Sequence, residues 1–286
     1  MLATPWKSHW LQKNPWKPDC PYRCCRCRSE PLRFGGLCEM TFTELPVVER
    51  IRRISEAGFA AEIWSWQDKD LDALVATGAQ FSSMTGYLHG DLFDEAGSAE
   101  LVRTAALCLT PAAKLGVPRL NFHTGELIDG QAARPQYRTT GAMWLTAQRA
   151  LEKIARLGED AGVVFCLENL NTIVDHPGVP MARAKDTLAL VESVSHPNLK
   201  MMLDLYHAQI GEGNLIELVR RCGDNIGEIQ VADVPGRCEP GTGEINYPAI
   251  ARVLAEQGYT GTVGLEGWAS GDSDTALTAF RNAFTL

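Results

Sequence analysis

The feature that most constrains this chain is a regular alternation of short apolar segments with longer amphipathic ones, beginning at Arg33. The short segments are rich in Val, Ile, Leu and Phe, as parallel strands buried on both faces are. The longer segments space their apolar residues at helical intervals, and several end at a glycine such as Gly116 or Gly162. We predict eight strands, at residues 33–38, 60–63, 79–85, 117–122, 163–167, 199–203, 226–231 and 262–265.

A predicted helix follows each strand, at residues 44–57, 70–77, 98–115, 135–161, 182–194, 214–222, 247–257 and 272–284. Eight strand–helix units in about 250 residues favour a single closed (β/α)8 barrel over an open doubly wound sheet. The dinucleotide-binding alternative is weakened because no Gly-x-Gly-x-x-Gly follows the first strand. The sequence therefore predicts one α/β barrel domain that spans residues 33–286.

The first 32 residues have a different character. They contain three tryptophans and a cluster of four cysteines, Cys20, Cys24, Cys25 and Cys27. The Cys-x3-Cys-Cys-x-Cys spacing is not a usual zinc pattern, and no histidine pair follows it. The segment also lacks the apolar stretch of a secretory signal. We expect residues 1–32 to form an irregular, poorly ordered extension that catalysis does not need.

Charge and cysteine usage narrow the classes of partner. The 286-residue chain carries a formal net charge of −8, which disfavours nonspecific binding to nucleic acid or anionic membranes. No apolar run is long enough to span a bilayer. The other five cysteines are scattered singly, as expected for buried, reduced thiols of a cytoplasmic enzyme. These observations favour a small-molecule substrate.

Four successive strands of the second half end in oxygen-bearing side chains. Glu168, Asp204 and Glu266 each follow an apolar strand directly, and Gln230 lies near the end of the seventh strand. The carboxyl ends of all barrel strands point to one mouth, so these side chains should meet there. Carboxylate and amide oxygens suit a hard divalent ion, with Mg²⁺ or Mn²⁺ favoured and Co²⁺ also accommodated. A single such carboxylate could equally cap a helix; the set of four favours a metal site.

Two glutamates beside a cation suit proton transfer next to a carbonyl group. The cation would stabilise the charge of an enediolate, and Glu168 and Glu266 would act as acid and base on adjacent carbons. A hydrolase could also use two carboxylates, but it would not need the metal ligands. Arg237 is a candidate anchor for a substrate carboxylate, and the alternative is that it pairs with Glu239 or Glu244 in its own loop.

Beyond these patterns, the chain from about residue 33 onward resembles the xylose isomerase-like barrels. Within that family it is most similar to the hydroxypyruvate isomerase branch, which includes 2-oxo-tetronate isomerases. The segments that carry the resemblance are residues 167–171 (Leu-Glu-Asn-Leu-Asn), 175–178 (Asp-His-Pro-Gly), 197–199 (Pro-Asn-Leu), 204–209 (Asp-Leu-Tyr-His-Ala-Gln) and the long run 230–247.

The resemblance implies roles for individual residues. It places the metal ligands at Glu168, Asp204, Gln230 and Glu266, and the two catalytic residues at Glu168 and Glu266. It also implies that His207 contacts the substrate. A homodimer or homotetramer is expected from the resemblance alone.

The first half of the chain departs from the sequence pattern of that branch, so the resemblance does not identify the exact substrate. Candidate substrate contacts there are Glu62 at the second strand, His89 in the third-strand loop and His123 after the fourth strand, with Trp268 after the eighth. We predict a metal-dependent aldose–ketose isomerase of a small hydroxy-carbonyl acid. The alternatives are a ketose 3-epimerase, a 3-oxo-acid decarboxylase and a noncatalytic sugar-binding barrel. A metal-dependent endonuclease fits poorly because the chain is acidic and has six histidines.

Overall fold

The computed structural model describes residues 32–286, in which eight parallel strands close into a barrel. Neighbouring strands pair in parallel register around the barrel, and the first strand pairs with the last to close it. The predicted (β/α)8 fold is therefore confirmed. The barrel strands are β1 (Arg33–Leu37), β2 (Ala60–Ile63), β3 (Phe81–Thr85), β4 (Arg119–Phe122), β7 (Val164–Glu168), β8 (Leu199–Asp204), β9 (Ile226–Val231) and β10 (Thr262–Leu265).

Helices cover the outside of the barrel because each has one apolar face. Helix α1 buries Ile51 and Ile54, and the longer helix α4 buries Leu151 and Ile154. Burying one such side chain stabilises the fold by about 1.5–3 kcal/mol. The covering helices are α1 (Val47–Glu56), α2 (Leu71–Val75), α3 (Glu95–Leu115), α4 (Gly141–Ala161), α5 (Ala184–Val194), α7 (Leu215–Cys222), α8 (Tyr247–Glu256) and α9 (Ser273–Ala283).

The structure moves the start of one predicted helix and adds a hairpin and a short helix that were not predicted. Helix α4 begins at Gly141 and not at residue 135, because the Thr140 side chain caps it by accepting a hydrogen bond from the backbone of Met143. Before it, β5 (Leu127–Ile128) and β6 (Gln131–Ala132) form a small antiparallel hairpin beside the mouth. An additional helix, α6 (Leu205–Gly211), follows β8 directly, and its seven residues are too few to show a clear periodicity.

The cysteines of the barrel are free thiols. Four of them are buried and Cys238 is partly exposed. Burial raises the pKa of the Cys222 thiol to about 12, so this side chain is a protonated core residue. None of the helices in residues 32–286 has the length and apolar character needed to cross a membrane. The cysteine cluster of residues 20–27 lies outside the described residues, so the extension and its boundary at residue 32 stay predictions.

Candidate active site at the carboxyl end of the barrel

A cavity of about 690 Å³ opens at the carboxyl end of the barrel strands. This is a suitable size for a small-molecule site. Among its lining residues are five of the predicted site residues, Glu168, Glu266, His123, His207 and Arg237. The structure thus brings together side chains from the end of β7, from helix α6 and from the segments that follow β4, β9 and β10, as the barrel topology predicts.

Glu168, the last residue of β7, is held by donors from the neighbouring strand. Its Oε2 accepts hydrogen bonds from the side-chain amide of Asn121 and from Nε2 of His123, the latter at 3.0 Å. Burial opposes the ionised form of this carboxyl, but the hydrogen bond and the charge of His123, the hydrogen bond from Asn121 and the charge of Arg237 outweigh it. The net effect lowers the pKa of Glu168. Glu168 is therefore an anion with one oxygen occupied by donors.

A short hydrogen-bond chain continues behind Glu168. An ionised carboxylate can only accept, so Nε2 of His123 carries the proton of this bond. The Nδ1 atom of His123 lies 3.0 Å from the Tyr87 hydroxyl and forms a second hydrogen bond with it. His123 was predicted to contact substrate; the structure shows that it lines the cavity and also fixes Glu168.

Asp204 ends β8 and caps the helix that follows. Its Oδ1 accepts from the backbone N–H of His207 at 2.7 Å, which is the first turn of α6. Burial raises the pKa of Asp204 well above its ordinary value, and the charges of Glu168 and Glu266 raise it further. One oxygen of Asp204 therefore caps a helix, as a single carboxylate at a strand end can. The other oxygen, Oδ2, stays available as a metal ligand.

Glu266 follows β10 and faces a donor and a cation. Its Oε1 accepts from Nε1 of Trp64 at 3.0 Å and lies 3.3 Å from a guanidinium nitrogen of Arg237. Burial raises the pKa of Glu266 to about 7 despite the charge of Arg237. The two glutamates therefore differ: near neutral pH Glu168 is ionised, whereas Glu266 holds its proton about half of the time.

Arg237 reaches the cavity from a loop that Asp233 organises. The Asp233 carboxylate accepts from the backbone N–H groups of Val234, Gly241 and Ile245 at 2.8–3.0 Å. The Arg237 guanidinium lies over the ring of Tyr206 at 4.9 Å and beside Glu266. Its partner is thus an active-site glutamate. The alternative partners behave otherwise, since Glu239 binds Ser270 and Glu244 binds Gln209.

Two histidines in the cavity differ in what they offer a ligand: His207 offers a hydrogen-bond donor and His176 an acceptor. The Asn171 amide oxygen accepts from two backbone N–H groups, so its nitrogen is the atom that donates to Nδ1 of His207 at 2.7 Å. His207 therefore carries its proton on Nε2. Nδ1 of His176 lies 2.7 Å from the carbonyl oxygen of Gly130 and must carry the proton there. Desolvation lowers the pKa of both imidazoles, so both are neutral.

The donor set of the site fits a divalent cation. Glu168, Asp204 and His207 each place one candidate ligand atom within 4.8 Å of the others. Because Nε2 of His207 carries a proton, it is a hydrogen-bond donor and the oxygens are the better ligands. Gln230 pairs in register with Asp204, and its buried Oε1 has no hydrogen-bond partner. A buried amide oxygen without a partner is costly unless a ligand satisfies it.

Three predicted substrate contacts lie outside this cavity. Glu62 is buried inside the barrel, where it binds Gln230 and Ser82. His89 is largely exposed and pairs with Glu126 at 2.9 Å. Trp268 is 45% exposed and borders a different depression, between α9 and the loop after β1. Glu62 lies within β2, and His89 and Trp268 lie in the loops after β3 and β10, but the pleat of the strand or the path of the loop directs each side chain away from the cavity.

The structure also adds residues that sequence reasoning did not select for the site. His176, Asn121 and Tyr87 all line the cavity. His176 lies within the Asp-His-Pro-Gly segment that carries the family resemblance, and this membership is the sequence feature that could have identified it as a site residue. Nothing in the sequence around Asn121 and Tyr87 distinguishes them from ordinary polar residues near strand ends.

This fold and this cavity define a class: a (β/α)8 barrel whose strand ends bring acidic and amide side chains to one mouth. The chain belongs to the xylose isomerase-like TIM barrel family, whose family model matches residues 47–283. Hydroxypyruvate isomerase of Escherichia coli is 30% identical over 247 residues, covering 82% of this chain and 93% of the relative. The 2-oxo-tetronate isomerase of Haemophilus influenzae is 30% identical over 265 residues, covering 87% of this chain and 98% of the relative. The chain is therefore a hydroxypyruvate isomerase-like enzyme.

Solved structures show the same barrel. One described as an AP endonuclease of family 2 from Brucella melitensis aligns with a TM-score of 0.76 and 28% identity, covering 88% of this chain and 98% of the other. D-psicose 3-epimerase from Clostridium cellulolyticum H10, solved with D-tagatose, aligns with a TM-score of 0.73 at 20% identity, covering 89% and 100%. At that identity the second likeness shows the fold alone.

Proposed function

We propose that this chain is a divalent-metal-dependent isomerase that interconverts the ketone and aldehyde forms of a small hydroxy-carbonyl acid of the hydroxypyruvate or 2-oxo-tetronate type. The observation that carries the proposal is the convergence of Glu168, Glu266 and Arg237 in one cavity, next to Asp204. Glu168, Asp204, Gln230 and Glu266 would hold the cation. Relatives that are about 30% identical over most of their length, and named for these two isomerisations, support the substrate class.

A bound cation would supply stabilisation of the negative charge that develops on an enediolate. The chain's own residues do the rest. Arg237 binds the substrate carboxylate, the Nε2–H group of His207 donates to a substrate oxygen, and Nε2 of His176 accepts from a hydroxyl. Glu168, the ionised glutamate, removes the proton from the hydroxyl-bearing carbon. Glu266 returns a proton to the former carbonyl carbon, and a hydroxyl proton moves to the other oxygen, so the atoms balance.

Hydrogen exchange in D₂O tests the reaction directly. The protein with Mn²⁺ or Mg²⁺ is incubated with hydroxypyruvate, 2-oxo-tetronates, free ketoses and inososes, and deuterium uptake is followed by NMR. We expect uptake at the carbon beside the carbonyl of one of the acids, together with the isomeric product. Absence of exchange with every compound and both metals, while some compounds still bind, would exclude the isomerase.

Replacing Arg237 by glutamine is expected to raise KM for the acidic substrate roughly 10- to 100-fold, because a charge-assisted hydrogen-bond pair is lost. Dihydroxyacetone offers a matched probe, since a hydroxymethyl group stands where hydroxypyruvate has its carboxylate. Its proton exchange should change much less in the variant. Equal losses for the two compounds would show that Arg237 acts through Glu266, 3.3 Å away, and does not bind a carboxylate.

Replacing His123 by phenylalanine is expected to lower kcat by roughly 10- to 100-fold, since the ionised carboxylate of Glu168 loses one of its hydrogen-bond donors. Replacing Tyr87 by phenylalanine removes the outer bond of the chain, together with a long bond to the carbonyl of Gly125, and should have a smaller effect in the same direction. Steady-state kinetics of the two variants measure both. A Tyr87 variant as impaired as the His123 variant would contradict the proposed order of the chain.

A ketose 3-epimerase is the second candidate, because the cavity is large enough for a six-carbon ketose as well as for a small acid. About 690 Å³ is more than a three-carbon acid requires and has room for a six-carbon ketose. The epimerase would use the same two glutamates on opposite faces of one carbon. In the D₂O experiment it would label a free ketose at the carbon adjacent to the carbonyl and leave the acids unlabelled.

A further inference from the structure

Glu62 occupies the interior of the barrel and has no part in the chemistry described so far. It lies on β2, which is separated from β9 by β1 and β10 in the barrel. Its side chain is buried, and the cavity at the mouth does not include it. An acidic side chain inside a barrel is rarely retained without a partner that requires it.

The Glu62 carboxyl is held by donors on both of its oxygens. Oε2 accepts from the side-chain nitrogen of Gln230 at 2.7 Å, and Oε1 accepts from the hydroxyl of Ser82 at 3.2 Å. The bond to Gln230 crosses the barrel interior from β2 to β9. In this bond the amide nitrogen of Gln230 faces Oε2 of Glu62, although burial and the charge of Glu228 raise the pKa of that carboxyl well above its ordinary value.

Two glycines leave the space that this carboxyl fills. A Cβ atom on Gly35 would lie 1.9 Å from Oε1 of Glu62, and one on Gly264 would lie 2.1 Å from the same atom. Both glycines sit within β1 and β10, where glycine weakens a strand and commonly marks a close approach. The interior of the barrel is therefore shaped to admit Glu62.

The consequence for Gln230 is a fixed orientation of its amide. Because the nitrogen is turned to Glu62, Oε1 is the free atom, and it is buried with no partner among the described residues. Gln230 also pairs in register with Asp204, one of the proposed ligands. Rotating the amide by half a turn would place a nitrogen, which cannot coordinate a cation, at this position.

We propose that Glu62 is a positioning residue, which orients the amide of Gln230 so that its oxygen completes the ligand set of the cation site. The inference rests on the metal dependence in the proposed function. Glu62 does not touch the cation or the substrate; it acts through Gln230, as groups behind metal ligands commonly do.

Binding of Mn²⁺ to the metal-free protein, measured by titration calorimetry, tests the role without reference to turnover. Replacing Glu62 by leucine should raise the Kd for Mn²⁺ roughly 10- to 100-fold. Replacing it by glutamine should keep the Kd close to that of the original protein, because the new amide oxygen accepts the same bond. Ser82→Ala leaves the bond to Gln230 in place and serves as the matched control. Gly35→Ala, which displaces Glu62 without approaching Gln230, should weaken Mn²⁺ binding if Glu62→Leu does not fold.

A double-mutant cycle with Gln230→Ala separates this role from a general structural one. Glu62→Leu should cause no further loss of Mn²⁺ affinity once Gln230 is alanine, since there is no amide left to orient. An unchanged Kd in folded Glu62→Leu, or an equal loss in both backgrounds, would overturn the inference. If the original protein bound no divalent ion, the metal-dependent function itself would fail, which is a different result.

Discussion

Replacing Glu168 or Glu266 by glutamine is expected to lower isomerase turnover by roughly 10²- to 10⁴-fold, the usual contribution of a positioned acid or base. Glutamine keeps the size of the side chain, and the cavity keeps its shape. What is lost is the group that accepts or returns the proton. Deuterium uptake from D₂O, measured in the same samples as turnover, should fall together with turnover in Glu168→Gln. In Glu266→Gln it should fall less than turnover, because Glu266 supplies the second proton.

Glu152→Gln provides the matched control for these variants. Glu152 is an exposed glutamate on α4, where it accepts a hydrogen bond from Gln148, and it does not line the cavity. Its variant should have the turnover of the original protein. If either active-site variant retained turnover within a few-fold of this control, Glu168 and Glu266 could not be the acid–base pair. A variant that still exchanged deuterium but formed no product would assign that glutamate to the second proton transfer.

Removal of the cation is expected to stop turnover. It should also make the free energy of unfolding depend on pH, because Glu266 has a folded-state pKa of about 7, raised by burial from an ordinary value of 4.5. The folded protein therefore holds a proton that the unfolded chain releases at lower pH. The resulting stabilisation is complete below pH 4.5 and is lost as the pH rises through 7. Between pH 6 and 8 the loss from this one group is about 1.4 kcal/mol, which corresponds to a fall of a few degrees in Tm.

Addition of Mn²⁺ should reverse that trend. A cation binds the ionised carboxylates, so its stabilising effect grows as the pH rises and as protons no longer compete. At one hundred times Kd it adds about 2.7 kcal/mol to the free energy of unfolding. Calorimetric Tm values from pH 6 to 8, with EDTA and with Mn²⁺, measure both effects.

The Glu266→Gln variant isolates the contribution of the titrating group. Its side chain cannot ionise, so the metal-free variant should lose less stability between pH 6 and 8 than the original protein. The lowered pKa values of His176 and His207 are common to both proteins. The charge of Glu266 also raises the pKa of Asp204 and of Glu62, so the difference between the two profiles reports Glu266 together with its effect on these two carboxyls. Parallel pH profiles for the two metal-free proteins would contradict the raised pKa of Glu266.

The barrel and the positions of its strand ends could be predicted from the sequence because they follow from local patterns. Parallel strands buried on both faces are continuous apolar runs, so the residue after each run identifies the mouth. Glu168 and Glu266 were located in this way, and the cavity contains both. Helix α6 was missed because a seven-residue helix has too little periodicity, although Asp204 is its cap.

The direction of a side chain at the mouth could not be obtained in the same way. Glu62, His89 and Trp268 were all chosen because they lie near strand ends. One points into the barrel, one to solvent and one to a separate depression. Strand register and loop path decide this, and both depend on packing between segments that are distant in sequence. The same holds for Tyr87 and Asn121, whose partners His123 and Glu168 are 36 and 47 positions away.

By itself, then, the sequence determined the (β/α)8 class, the end of the barrel that carries the site and the chemical type of its side chains. Periodicity and composition are local, and each segment displays them without reference to the others. Only the tertiary structure decided which atoms face one another. The ionised state of Glu168 depends on donors from β4, the raised pKa of Glu266 on burial at the mouth, and the free oxygen of Gln230 on a glutamate 168 positions earlier. Hydrogen bonds and desolvation act over a few ångströms in space, and those distances exist only once the barrel has closed.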